Sequence, residues 1–180
     1  VLKNETNEFT YPEDSLVKMV VPVETTLNGA VYAVLKLTSP PVGSAAPSVA
    51  VVAYEFNAYD FSTNALLKNL DKAVTITLHA KSDDGITVAN SDPTVLLSEA
   101  RSYLTLAYWN GINWVKIGGT INISGNDITI TNKVTQLGKY AIVVNLSAEQ
   151  VEFKVYPNPF TPFSSNENFN AVKFSFLNSS

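Results

Sequence analysis

The feature that most narrows what this chain can fold into is a period of two. Short runs rich in β-branched and aromatic residues alternate apolar with polar side chains, and Gly, Asn, Asp, Ser or Pro closes each run. Successive side chains on a strand point to opposite faces, so such a run buries one face and wets the other. Residues 73–80 show it most clearly: Val74, Ile76 and Leu78 share the inward parity, while Thr75, Thr77 and His79 take the outward one. Further strands are predicted at residues 8–11, 17–22, 30–38, 49–57 and 139–146, the third placing Val31, Ala33, Leu35 and Leu37 on one face.

Two hairpins follow from turn chemistry. Residues 103–109 and 112–117 flank Asn110-Gly111, a dipeptide that suits a two-residue turn, and residues 120–123 and 127–132 flank Ser124-Gly125-Asn126. Residues 39–48, with Pro40, Pro41, Gly43 and Pro47, read as an exposed loop, as do residues 81–92. Helix is nearly absent. A helical turn is expected only in residues 62–70, and residues 93–101 stay open between irregular structure and a short helix.

The expected fold class is therefore all-β, an antiparallel β-sandwich with C-terminal extension strands. The sandwich is expected over residues 1–147. Residues 148–180 form an extension, with strands at 151–156 and 171–177 on either side of Pro157-Asn158-Pro159-Phe160-Thr161-Pro162. Two strands do not close a core, so this part is incomplete on its own.

Composition removes several classes of function. The 12 Lys and Arg are scattered and the net charge is −4, which leaves no footprint for nucleic acid or anionic lipid. With no cysteine there are no disulfides, thiolate nucleophiles or zinc-thiolate sites. The longest apolar runs fall well short of the roughly 20 residues of a membrane-spanning helix, so no membrane span is expected. The chain opens with Val1 and shows no charged-then-apolar leader, as expected of a processed protein or a fragment.

Two resemblances add to this reading. The motifs Val20-Val21-Pro22, Ala53-Tyr54-Glu55-Phe56, residues 73–78, Tyr108-Trp109-Asn110-Gly111 with Trp114, and Tyr140-Ala141-Ile142-Val143 resemble the β-sandwich of ankyrins and netrin receptors, which recurs in bacterial surface proteins. Some members of that family cleave themselves at a His-Phe-Ser triplet. Here the matching positions are Gln136, Leu137 and Gly138, with neither hydroxyl nor base, so the resemblance implies no self-cleavage. The run Val155-Tyr156-Pro157-Asn158-Pro159-Phe160 is similar to the opening of the immunoglobulin-like C-terminal module of the flagellar hook-capping type, which implies a secreted or surface-displayed protein.

Residue chemistry singles out a few candidate sites. Tyr108, Trp109 and Trp114 surround a hairpin tip and could stack on a sugar, with packing as the competing role; one of Tyr108 and Trp109 should face the core. Asp83, Asp84 and Asp92 flank a loop and could offer oxygens to calcium, with Glu55 and Asp60 adding ligands only if the fold gathers them, yet their spacing is not that of a known calcium loop. His79 has no partner at a suggestive spacing and reads as a surface residue. No nucleophile elbow, metalloprotease pair, phosphate loop or dinucleotide fingerprint occurs. Four Asn-x-Ser/Thr matches, at Asn4, Asn122, Asn145 and Asn178, are at the level chance supplies in so Asn-rich a chain.

The expected function is that of a non-enzymatic extracellular structural protein. In this reading it is a cell-surface or secreted assembly subunit, joined to copies of itself or to neighbouring modules by β-strand addition. Val155, Tyr156, Val172, Phe174 and Phe176 are its candidate interface residues. The alternatives are a monomeric spacer module in a larger surface protein and a carbohydrate-binding module. No cofactor is expected, calcium apart.

Overall fold

The computed structural model describes residues 6–23, 30–47 and 49–145. The expectations for residues 151–156 and 171–177, including all five candidate interface residues, lie outside these.

Two antiparallel sheets face one another. The first has the order β1 (Asn7–Tyr11), β2 (Asp14–Val21), β6 (Asn69–Lys81), β10 (Asp127–Gln136) and β9 (Thr120–Ser124). The second runs β3 (Val31–Lys36), β4 (Ala50–Tyr59), β11 (Gly138–Val144), β7 (Leu104–Trp109) and β8 (Trp114–Lys116), with the two-residue β5 (Leu66–Leu67) beside the end of β4. A 3-10 turn at Leu97–Glu99 leads into the single-turn helix α1 (Ala100–Tyr103). This is the sandwich that the alternation predicts.

The core lies where the inward parities meet. Val17, Met19, Val74, Ile76, Leu78, Ile128 and Ile130 from the first sheet face Tyr54, Phe56, Leu106, Tyr140 and Ile142 from the second. Each such side chain contributes about 1.5–3 kcal/mol by leaving water. Phe56 and Tyr140 meet edge to face at 6.0 Å, and Phe9 and Tyr32 close the seam between the edge strands β1 and β3 at 5.0 Å. Burial, with the charge of Asp14 adding to it, pushes the Tyr54 hydroxyl up to about 12. The Tyr140 hydroxyl, which donates to the Gln136 carbonyl, is pushed well above the ordinary tyrosine range for the same reason.

One local expectation gains its side from the structure, and two need revision. Val31, Ala33, Leu35 and Leu37 do share a face, but it is the outer face of the second sheet. Register decides this: Tyr32, Val34 and Lys36 stand opposite Ala58, Phe56 and Tyr54, and cross-strand partners lie on one side. Residues 62–70 form no helix. Asp60 Oδ1 accepts hydrogen bonds from the amides and hydroxyls of both Ser62 and Thr63, Asn64 turns with φ +55°, and Leu66–Leu67 returns against Ala58 and Tyr59. The first hairpin closes through four residues rather than two. Asn110 Oδ1 accepts the amides of Ile112 and Asn113, which sets Trp109 opposite Trp114. The second hairpin turns through Gly125-Asn126 as expected, pairing Ser124 with Asp127.

The outer face of the second sheet carries its own apolar layer. Ala53, Ala141 and Ala107 sit side by side on β4, β11 and β7, with Trp114 and Val143 beside them. The proline-rich loop does not stand free but crosses this layer. Trp114 Nε1–H donates to the Pro41 carbonyl at 2.9 Å, and Asn113 Oδ1 accepts from the Ser44 amide (2.7 Å), the Ser44 hydroxyl (2.9 Å) and the Ala45 amide (3.0 Å).

Candidate functional surfaces

The aromatic hairpin tip splits three ways. Tyr108 turns inward, packs on Tyr140 with ring centroids 5.2 Å apart, and its hydroxyl accepts from Gln136 Nε2 at 2.7 Å. Trp109 and Trp114 both lie on the outer face, 5.2 Å apart. Trp114 is only 3% exposed beneath the loop, so its ring is a packing element. Trp109 remains half-buried and in contact with solvent. Opposite faces for Tyr108 and Trp109 were legible in the sequence; the covering of Trp114 by a loop more than 60 residues away was not.

The loop carboxylates are consumed locally. Asp84 accepts from the Ile86 and Thr87 amides and from the Ser82 and Thr87 hydroxyls, and Asp83 pairs with Lys81 at 2.7 Å. Among the described residues no three His, Cys, Asp or Glu side chains gather in a way that could hold a metal ion, so Asp83, Asp84 and Asp92 are not brought together as a calcium site, nor do Glu55 and Asp60 join them.

These turns have a consequence for acid stability. The Ser62 hydroxyl bond, then the amide and hydroxyl of Thr63, hold the Asp60 carboxyl at about 2. The Thr87 and Ile86 amides, then the Thr87 hydroxyl, hold Asp84 lower still. Both folded values lie below the unfolded carboxylate range. Their stabilisation is therefore complete above about pH 4 and is lost as pH falls through the folded values. Urea midpoints measured from neutral pH down to about pH 2 should show a shallower acid decline in Asp60→Asn and Asp84→Asn than in the parent chain. An unchanged decline would mean that these turns add nothing.

His79 is the residue whose surroundings sequence reasoning missed. It takes the expected outward parity on β6, but its ring lies between Asp14 Oδ2 on β2, 2.6 Å from Nδ1, and Asp127 Oδ1 on β10, 2.9 Å from Nε2. The two carboxylates are 65 and 48 residues away in sequence, so only strand order brings them together. With both nitrogens engaged, the ring links three strands and cannot act as a base without giving up a hydrogen bond. An adjoining cleft of about 360 Å³ is lined by Asp14, Lys36, Tyr54, His79, Lys81 and Asn90. Several of its charges are already paired: Asp14 with His79, and Lys81 with Asp83.

Four strands end the two sheets, and they differ sharply. β1 offers Glu8 and Thr10 to solvent, pairs Glu8 with Lys18 at 3.0 Å, and breaks register at Thr10/Tyr11. β9 exposes Thr120, Asn122 and Ser124. β8 has three residues. β3 has six, with Tyr32 and Val34 in the core and Val31 and Leu35 outside, about half exposed at 51% and 49%. Val31 continues across the sheet into Tyr59 and Leu66, and Phe61 projects from the adjoining turn.

No helix among the described residues is long and apolar enough to cross a membrane. Comparison with protein-family models, curated proteins and solved structures finds no match to this chain.

Proposed function

We propose that this protein is a non-enzymatic structural subunit of an extracellular or cell-surface assembly, whose copies are joined by β-strand addition at the edge of β3. The observation that carries the reading is the contrast among the four edges. Charge, polar faces, a register break or brevity are the devices that keep sheet edges from recruiting another chain. β1, β9 and β8 each have one or more of them, whereas β3 presents apolar side chains on both faces from Val31 to Leu35 and carries charge only at its last residue, Lys36. The donor is residues 171–177, where Val172, Phe174 and Phe176 alternate with Ala171, Lys173 and Ser175. Added to β3, this segment lays its apolar set beside Val31 and Leu35. Val155 and Tyr156 belong to the same tail. A head-to-tail contact of this kind propagates as an open filament unless symmetry closes it. Extracellular placement rests on the resemblance of the Tyr-Pro-Asn-Pro-Phe run to terminal modules of secreted proteins.

Electron microscopy and light scattering of the whole chain, beside a chain cut after Ser147, test the proposal. The cut leaves every described strand in place, since they span residues 7–144. Filaments from the whole chain and monomers from the cut one are the expected result. The absence of cysteine allows a second readout. Lys36→Cys and Ser175→Cys chains, mixed and oxidised, should form a linked pair, while Thr10→Cys with Ser175→Cys should not. Monodisperse monomers from both whole and cut chains would sink the assembly reading and leave a monomeric spacer.

A further inference from the structure

β11 enters the second sheet late: its first paired residue, Gly138, meets Phe56 in the middle of β4. Beyond that point β4 pairs with the short β5 instead, and no described strand lies beside β7 on that side. The sheet therefore has a notch between the end of β7 and the β4–β5 pair. It is a cleft of about 310 Å³, lined by Glu55, Asn57, Lys68, Trp109, Gly111 and Lys139 among others. That is the lower end of the size range of small-molecule sites.

The side chains around the notch are not those of idle surface. Asn57 is only 6% exposed, and its carboxamide forms no hydrogen bond with any described residue. The carboxamide atoms are not closed off from solvent, so water in the cleft serves them and a ligand's hydroxyls can take its place. Glu55 lies two residues before Asn57 on the same face, and Lys139 is its direct cross-strand neighbour. Glu55 and Lys139 are both half-buried. Trp109 rests on Trp114, which the loop holds in place, so the indole at the rim is supported from behind.

We infer that this notch binds a neutral saccharide, one pyranose ring or the end of a longer glycan. A carboxylate only accepts, an ammonium only donates and a carboxamide does both, so the three together match adjacent hydroxyls, each donor and acceptor at once. The half-buried charges of Glu55 and Lys139 offset one another, and Lys68, the third charge of the lining, is exposed to solvent that screens it, which favours a neutral ligand over an ion. The Trp109 indole gives an apolar surface for the C–H face of the ring. The site lies one strand in from the β3 edge, with Glu55 and Asn57 opposite Leu35 and Ala33. It differs from the hairpin-tip arrangement expected from sequence, because Tyr108 and Trp114 are packing residues and Glu55, Asn57 and Lys139 take their place.

The test is a titration of the whole chain with methyl glycosides of glucose, galactose, mannose and N-acetylglucosamine, followed by amide and indole NMR shifts. One of them should move the Trp109 indole N–H, the Asn57 carboxamide and the Gly111 amide, saturating in the millimolar range, while the Trp114 indole N–H stays still. Glu55→Gln should weaken binding about tenfold, as loss of a charge-assisted hydrogen bond does, without changing the melting temperature. Asn57→Leu, which fills the notch, should abolish it. Silence at the Trp109 and Asn57 signals with all four sugars overturns the inference. So does binding that survives unchanged in both variants, or a response to zwitterionic glycine in place of the sugars.

Discussion

Phe56→Ala is expected to lower the free energy of unfolding by about 3–5 kcal/mol, the usual cost of emptying a buried aromatic site. Phe56 is fully buried near the middle of β4, with Val34 opposite on one neighbour and Gly138 on the other. Its ring lies edge to face against Tyr140. The truncation therefore removes apolar burial and an aromatic contact together, and neighbours fixed in two ladders cannot collapse into the space. Domains are commonly stable by about 5–15 kcal/mol, so this one change removes a large part of the margin. The urea midpoint should fall sharply with the slope unchanged. Val31→Ala, on the outer face of the same sheet, is the control and should stay within about 0.5 kcal/mol of the parent. A Phe56→Ala loss below about 1 kcal/mol would mean that the two sheets do not pack as described.

The second large effect is steric and backbone-borne. Gly119 joins β8 to β9 with φ +156°, and a Cβ there would stand 2.8 Å from Ile130 Cγ2 and 3.0 Å from the Thr131 carbonyl oxygen. Ile130 is fully buried and Thr131 is paired in the ladder, so neither has room to yield. Gly111 also has a positive φ, +103°, but no atom lies within 4 Å of its would-be Cβ. Alanine at Gly111 should therefore carry only the backbone cost, about 1–3 kcal/mol. Alanine at Gly119 should carry that cost and an overpacking penalty of about 1–3 kcal/mol more. Thermal or urea unfolding of the two variants side by side separates the terms. Equal losses would show that the region around residue 119 can give way.

Much of the architecture was legible because it rests on local periodicity. The alternation in residues 73–80 gave the inward residues of β6, and the turn residues located both hairpins. What was not legible depends on partners distant in sequence. The outer placement of Val31 and Leu35 follows from register with β4, for the strand taken alone is apolar on both parities. Residues 62–70 contain good helix formers, yet the Asp60 carboxylate diverts the chain into a turn and then a strand. His79 gave no sign of its two carboxylates, because strands far apart in sequence supply them. The same holds for the notch: Glu55 and Asn57 share a strand, but only the entry point of β11 sets Lys139 and Trp109 beside them.

The place of β11 bears on how the molecule is made. It is the last of the described strands in the chain, yet it sits in the middle of its sheet between β4 and β7. As the chain emerges from the ribosome, β3 with β4 and β7 with β8 can form only separate ribbons, each exposing an edge that belongs inside. No described strand upstream takes the place of residues 138–144 between β4 and β7. Closure is thus a single late event that joins residues some 85 positions apart, such as Tyr54 and Tyr140. A nascent chain of this design stays open, and dependent on whatever guards it, until residues 138–144 are delivered.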